Sequence, residues 1–159
     1  MCYTIGVFGG SVTVVGQRIR RSKSGFDSCL FRHNINKTIY FKYRGQGIFR
    51  ARLESIEAGC RVTGVLNPKH LIASHIKPWS KSKNQERLDG NNGLLLSPHI
   101  DHLFDKGHIT FSDTGDLLIS VSADKEALKK WQVSGMNVGG FNQAQLMYLQ
   151  YHREHVFNQ

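Results

Sequence analysis

The chain has 159 residues, of which 40% are hydrophobic and 10% aromatic, so it can form a compact core and is not intrinsically disordered in composition. Its 21 Lys and Arg residues outnumber its 12 Asp and Glu residues, and the formal charge of +9 favours association with polyanions such as nucleic acid. No run approaches the roughly 18 apolar residues that span a bilayer, which argues against a membrane protein.

The cysteines and the first residues indicate a cytoplasmic location. Cys2, Cys29 and Cys60 are widely separated and form no Cys-x-x-Cys pair, so neither a disulfide framework nor a zinc ribbon is expected. Residues 1–15 lack the early basic region and the long apolar run of a secretory signal.

Residues 1–43 form a basic N-terminal segment of uncertain structure. Residues 11–15 and 38–41 have β-like composition, and residues 17–28 between them are polar and basic. Basic residues concentrate in this first third of the chain, which is therefore a candidate phosphate-contacting surface: Arg18, Arg20, Arg21, Lys23, Arg32, Lys37, Lys42, Arg44, Arg50 and Arg52.

From residue 46 the pattern becomes more regular. The spacing of Ile48, Phe49, Leu53 and Ile56 predicts a helix near 46–57, which Gly59 ends. Two short strands, 60–65 and 71–76, are expected to follow in a hairpin-like arrangement around the turn residues 67–69.

The long polar segment 77–92 has the character of a functional loop, and 93–96 is a predicted strand. Ser97 followed by Pro98 is a strong helix start, which predicts a helix from about 98 to 106 that ends at Gly107.

A β-hairpin and two helices are predicted for the remainder. Residues 108–111 and 116–121 flank a turn that contains glycine. Helices are expected over 122–131, behind a serine cap, and over 142–157.

Three sequence blocks carry a family resemblance: Ala73-Ser74-His75-Ile76-Lys77-Pro78-Trp79-Ser80, Arg87-Leu88-Asp89-Gly90-Asn91-Asn92-Gly93-Leu94-Leu95-Leu96 and Leu103-Phe104-Asp105-Lys106-Gly107. In this order they resemble the restriction-type branch of the HNH endonucleases, over about residues 44–121. The C-terminal run 148–153 is also similar to this branch. The resemblance implies an α+β fold: a ββα-metal nuclease core over 44–121, with a β-hairpin and flanking helices, and C-terminal helices over 122–159 packed on it.

Hydrolysis of a phosphodiester needs an activated water, and His75 at a strand end is the candidate general base. The resemblance implies the same role for His75, and it matches Asn92 to the asparagine that orients the active-site loop. The structural alternatives are a histidine that caps a strand by hydrogen bonding and an asparagine in a turn before Gly93.

Asp101 and Asp105 lie four residues apart on the predicted helix, so their carboxylates share one face and suit Mg²⁺, with Mn²⁺ as a substitute. Ser74 stands where many HNH nucleases carry a carboxylate ligand. Either the two aspartates suffice with water and phosphate, or His99 or Asp89 completes the metal shell. The alternative for Asp105 is a solvated residue near the following turn.

DNA is the expected partner, and Lys77, Trp79, Lys81 and Lys83 are candidate contacts to its phosphates. Trp79 is equally a candidate packing anchor. The resemblance implies a metal-dependent DNA endonuclease that serves restriction or another defence against foreign DNA. The sequence leaves the oligomeric state open between a dimer and a nuclease module of a larger system. The alternative is a catalytically impaired DNA-binding module that kept the scaffold and lost a complete metal shell.

Overall fold

The computed structural model describes residues 3–8, 11–16 and 45–159, and the chain divides into two compact units, Met1–Lys42 and Tyr43–Gln159. In the first unit, strands β1 (Tyr3–Phe8) and β2 (Ser11–Gly16) pair antiparallel. This confirms the β character expected for 11–15. The expectations for 17–28 and 38–41 lie outside the described residues.

The second unit begins with helix α1, whose described part covers residues 45–54. Phe49 and Leu53 are buried one turn apart, whereas Ile48 and Ile56 are about two-fifths exposed. The helix is therefore confirmed, but its buried face is narrower than the apolar spacing predicts, because only the residues four apart point into the core.

The segment that follows α1 corrects a predicted strand. In residues 60–65 the Cys60 N–H donates to Val65 O over 2.9 Å and the Gly64 N–H donates to Cys60 O over 2.8 Å, so the segment closes on itself as a turn. Gly64 has φ +71°, a left-handed conformation that interrupts the extended backbone. The β-branched residues of this stretch could not make a strand across that glycine.

A strand hairpin and a helix form the centre of the unit. Strand β3 (Ile72–His75) pairs antiparallel with β4 (Gly93–Leu96), with Ile72 opposite Leu96 and His75 opposite Gly93. The two predicted strands are confirmed, but β3 pairs with β4 and not with the 60–65 segment. Between them the loop 76–92 contains the short helix α2 (Asn84–Arg87) and two 3-10 turns, Trp79–Lys81 and Gly90–Asn92.

Helix α3 (Pro98–Asp105) follows β4 directly and completes the ββα unit. Pro98 occupies its first turn, as predicted, but the Ser97 hydroxyl bonds Thr63 Oγ1 at 2.6 Å and does not cap the helix. The apolar residues Ile100, Leu103 and Phe104 are buried in the core. Gly107 has φ +69° and a Cβ there would lie 2.0 Å from Val156 O, so this position requires glycine.

The remaining elements pack on this unit. Strands β5 (Ile109–Phe111) and β6 (Leu117–Ile119) form the predicted hairpin. Helix α4 (Lys125–Lys130) starts later than expected because Asp124, and not Ser122, accepts its first N–H groups. Helix α5 (Gln143–His155) confirms the helix predicted over 142–157, and the Asn142 side chain caps its first turn.

These elements confirm the α+β class: in the second unit, two small antiparallel hairpins and the helices share one apolar core. Among the described residues, no helix is long and apolar enough to cross a membrane.

Candidate active site

His75 ends strand β3 with one of its two ring nitrogens bonded. Its Nε2 lies 3.1 Å from the backbone carbonyl oxygen of Arg87. A carbonyl only accepts, so Nε2 carries the proton and the lone pair of neutral His75 is on Nδ1. The ring lies flat on Phe49, with centroids 3.7 Å apart at 15°, and meets Trp79 edge-on at 5.5 Å.

The surroundings of His75 favour its neutral form. Burial lowers the pKa of the imidazole below its ordinary value, and the hydrogen bond to Arg87 O offsets only part of that effect. At neutral pH the ring is therefore a neutral base with one unprotonated nitrogen.

Asn92 is fully buried and joins both ends of the loop. Its Oδ1 accepts the Lys77 N–H at 2.8 Å, and its Nδ2 donates to Glu86 O at 3.0 Å and to Ser82 Oγ at 3.3 Å. Its own carbonyl accepts the Ile76 N–H at 3.1 Å. One side chain therefore fixes the loop that carries the Arg87 carbonyl.

The two aspartates of α3 differ in exposure. Asp101 is partly buried and makes no side-chain hydrogen bond with any residue of the described part of the chain. Asp105 is exposed, and its Oδ2 lies 3.3 Å from Lys106 Nζ. His99 packs near Trp131, with ring centroids 5.9 Å apart, and lies two residues, or about 200° around the helix, from Asp101.

With Asp101 and Asp105 as its protein ligands, a metal ion would have most of its coordination positions left for water and phosphate. Within residues 45–159 and the two N-terminal strands, no group of three His, Cys, Asp or Glu side chains is placed to bind one ion. Asp89 is committed elsewhere, because its carboxylate accepts hydrogen bonds from Asn91 and Tyr148. The donor chemistry suits Mg²⁺, which commonly uses one or two carboxylates and keeps several water or phosphate ligands.

Residues 60–112 match the sequence model of the HNH endonuclease family. The matched segment, one third of the chain, is therefore similar to the HNH endonucleases. It runs from the turn after α1 through β3, β4 and α3 to the end of β5, and it includes His75, Asn92 and Asp101. No curated protein matches the chain.

In the matched segment, the loop after the histidine holds four of the predicted DNA contacts, and Lys77 and Lys81 among them differ in their ion pairs. Lys77 Nζ pairs with Glu86 Oε1 at 2.8 Å and lies 5.1 Å from the centre of the Tyr151 ring. Lys81 is exposed and pairs with no carboxylate of the described residues. Lys81 is therefore available to a phosphate as it stands, whereas Lys77 must first leave Glu86.

Trp79 packs inside this loop. The Arg87 guanidinium lies 5.0 Å from the centre of the Trp79 ring, and Arg87 Nε donates to Trp79 O at 3.0 Å. These contacts favour the packing-anchor alternative for Trp79, and its contact with DNA stays a prediction.

Arg50, which the sequence places in the candidate phosphate-contacting surface, links α1 to the segment before β3. Its guanidinium donates to Leu71 O at 3.1 Å, to Pro68 O at 2.5 Å and to Glu54 Oε1 at 2.8 Å. Its hydrogen-bonding groups are largely used within the protein.

Several residues near the site carry no sequence signal for their position. Phe49 appears in the sequence only as part of an apolar helix face, and Arg87 only as the first residue of the second block of the family resemblance, with no role of its own. Tyr148 on α5 donates to Asp89 Oδ2 at 3.0 Å, and burial followed by the nearby carboxylates raises the pKa of its hydroxyl. The Tyr148–Asp89 contact joins residues 59 positions apart, which local sequence patterns do not predict.

Proposed function

We propose that the chain is a metal-dependent endonuclease that hydrolyses DNA phosphodiester bonds with His75 as general base. The observation that supports this most is the hydrogen bond from His75 Nε2 to Arg87 O, which leaves Nδ1 as the proton acceptor. The HNH family match over residues 60–112 supports the same chemistry.

In the proposed mechanism, Nδ1 of His75 takes a proton from the water that attacks the phosphorus atom. The imidazolium formed stays hydrogen-bonded to Arg87 O through Nε2. Asn92 contributes by fixing the backbone that carries this carbonyl, so the ring keeps its tautomer and orientation during turnover.

Asp101 and Asp105 would hold the metal. The metal, Mg²⁺ or Mn²⁺, would supply charge neutralisation at the phosphate and stabilisation of the alkoxide leaving group when bound. His99 is a less favourable ligand than the aspartates because its ring packs toward Trp131, so we assign the metal to the two carboxylates.

The substrate is DNA in this proposal, and the charge of +9 attracts it. Lys81 and Lys83, both exposed in the loop after His75, are the phosphate contacts that we propose to act without rearrangement. Restriction or another defence against foreign DNA, in the cytoplasm, is the pathway that we propose from the resemblance.

Plasmid cleavage tests the proposal. We expect purified protein to nick or cut plasmid DNA with Mg²⁺ or Mn²⁺, and EDTA to abolish cleavage. His75→Ala should lower the rate by at least about 100-fold, the contribution typical of a general base. His70→Ala, at an exposed histidine in the turn before β3, is the matched control and should cleave normally. If His75→Ala cleaves as fast as His70→Ala, the proposed base is wrong.

The metal assignment has its own matched pair of variants. Asp101→Asn should raise the Mg²⁺ concentration needed for half-maximal cleavage by at least about tenfold. Glu126→Gln removes an equal charge from an exposed carboxylate on α4 that pairs with Lys130, and it should leave that concentration unchanged. Equal Mg²⁺ requirements in the two variants would place the metal elsewhere.

A DNA-binding module without cleavage is the second candidate. It is favoured by Ser74, a buried residue that offers only a hydroxyl in the position before His75. Salt-sensitive DNA binding without metal-stimulated cleavage by the wild-type protein would support it.

A further inference from the structure

Phe49 lies outside the family segment and yet contacts the proposed base. It belongs to α1, is 1% exposed, and its ring stacks on the imidazole of His75 at a centroid distance of 3.7 Å. The match to the HNH family begins only at residue 60. The contact is therefore supplied by an element that the family match does not include.

Gly93 provides the space for this ring. It stands opposite His75 in the β3–β4 pair. A Cβ added to Gly93 would lie 2.5 Å from Phe49 Cζ and 2.9 Å from Cε2, closer than nonbonded carbon atoms approach. The fit of Phe49 under His75 thus depends on a glycine immediately after Asn92.

A second Phe–His stack in the protein indicates what this contact does. His152 stacks on Phe104 at 3.9 Å, but both of its nitrogens are also bonded, to Thr110 Oγ1 at 3.0 Å and to Phe104 O at 3.1 Å. Two hydrogen bonds are enough to fix that ring.

His75 has only the bond from Nε2 to Arg87 O among the described residues. A ring with one hydrogen bond can still swing about it, so packing must supply the second constraint. Phe49 covers one face of the ring, and Trp79 meets the ring edge-on. The Arg87 guanidinium packs in turn on the Trp79 ring. Together these contacts fix the direction of the Nδ1 lone pair.

We propose that Phe49 is a positioning residue for the general base: its ring, admitted by Gly93, holds the imidazole of His75 in the plane that directs Nδ1 toward the attacking water. This inference rests on the proposed function. It adds α1 to the elements required for catalysis, so a fragment limited to residues 60–112 would lack a working base.

Phe49→Leu and Phe49→Met test the proposal, and Phe111→Leu is the matched control. Phe111 is also 1% exposed and lies in β5. Phe49→Leu and Phe49→Met should lower kcat at least about tenfold with little change in KM, because binding of DNA does not involve the ring. Phe111→Leu should lower the Tm but leave kcat of the folded protein unchanged. Phe49→Met replaces the ring with a flexible side chain of similar size and remains informative if the leucine variant does not fold.

NMR titration of His75 gives a readout that does not need activity. Loss of the ring should let water reach the imidazole, so the pKa of His75 should rise in both Phe49 variants and stay at its wild-type value in Phe111→Leu. If the Phe49 variants keep wild-type kcat and an unchanged His75 titration, the positioning role is refuted. A wild-type protein that does not cleave DNA would instead refute the proposed function, while the titration would still report on the packing.

Discussion

His75 and Arg87 are joined by a hydrogen bond of 3.1 Å that runs from the imidazole Nε2 to a backbone carbonyl. Because the acceptor is backbone, the identity of the Arg87 side chain does not set the histidine tautomer. What sets it is the path of the loop, which Asn92 fixes through its bonds to Lys77 N and Glu86 O. The proposed base, His75, and Asn92, which anchors the loop, are therefore structurally coupled.

The first prediction concerns the pH dependence of cleavage. Burial lowers the pKa of His75, so the residue should stay an unprotonated base to a lower pH than a solvent-exposed histidine. As pH falls through this pKa, Nδ1 becomes protonated and activity is lost. We expect the acid limb of kcat/KM to have its midpoint below about 6.5. A midpoint at or above that value would contradict the assignment, and His70→Ala should reproduce the wild-type profile.

The second prediction concerns the loop anchor. Asn92→Ala should destabilise the protein by about 2–4 kcal/mol, because it leaves buried loop groups without partners. Cleavage should fall by at least about tenfold even in the folded fraction, since the Arg87 carbonyl is no longer held. Urea unfolding and plasmid cleavage measure the two effects.

Asn91→Ala is the control for this change. Asn91 is partly exposed and its side chain bonds Asp89 and Asn142 at the surface of the loop. The Asn91→Ala variant should lose less than about 1 kcal/mol of unfolding free energy and should retain most of the cleavage activity. Equal losses in the two variants would show that Asn92 has no special part in the loop.

The central elements could be predicted because their signals are local. Strand β4 and the Ser97-Pro98 start of α3 depend on neighbouring residues, and both lie where the sequence placed them. The 60–65 strand was wrong because residue composition favoured β structure while Gly64 closed a turn with local hydrogen bonds. The predicted pairing of the 60–65 and 71–76 segments was also wrong, because the strand that pairs with β3 lies beyond a 17-residue loop, 76–92.

The candidate site was predictable as a residue list and not as an arrangement. The spacing of Asp101 and Asp105 indicates a shared helix face, but it does not predict that one is partly buried and the other exposed. Likewise Arg50 belongs to a basic stretch, yet its guanidinium bonds two backbone carbonyls. Such differences depend on tertiary contacts between distant segments, which charge and periodicity do not encode.

The third prediction concerns stability at acid pH. His152 is 1% exposed, and burial lowers its pKa to about 4. In the unfolded chain His152 takes up a proton at its ordinary pKa of about 6.5. The stability that the folded protein gains from neutral His152 is therefore complete above that pH and is lost as pH falls from about 6.5 to about 4. The expected loss is about 3 kcal/mol.

Urea unfolding between pH 7 and pH 4 measures this effect. His152→Leu should be less stable at pH 7, because Thr110 Oγ1 and Phe104 O lose their partner, and its stability should depend less on pH than that of the wild type. If both proteins lose the same free energy over this range, His152 does not titrate as the structure indicates.

The fourth prediction separates a DNA contact surface from general charge. Lys81 and Lys83 are exposed in the loop after His75, whereas Lys125 and Lys129 are exposed on α4. Replacing either pair with alanine removes two positive charges. If the loop lysines contact phosphates, Lys81→Ala with Lys83→Ala should reduce the slope of log K against log salt concentration by about 2. The α4 pair should change the slope little, because its lysines affect DNA only at long range and are screened by salt.

Binding is best measured in a His75→Ala background, so that the DNA stays intact during titration. Equal changes in slope for the two pairs would mean that the net charge of the protein, and not this loop, governs DNA binding.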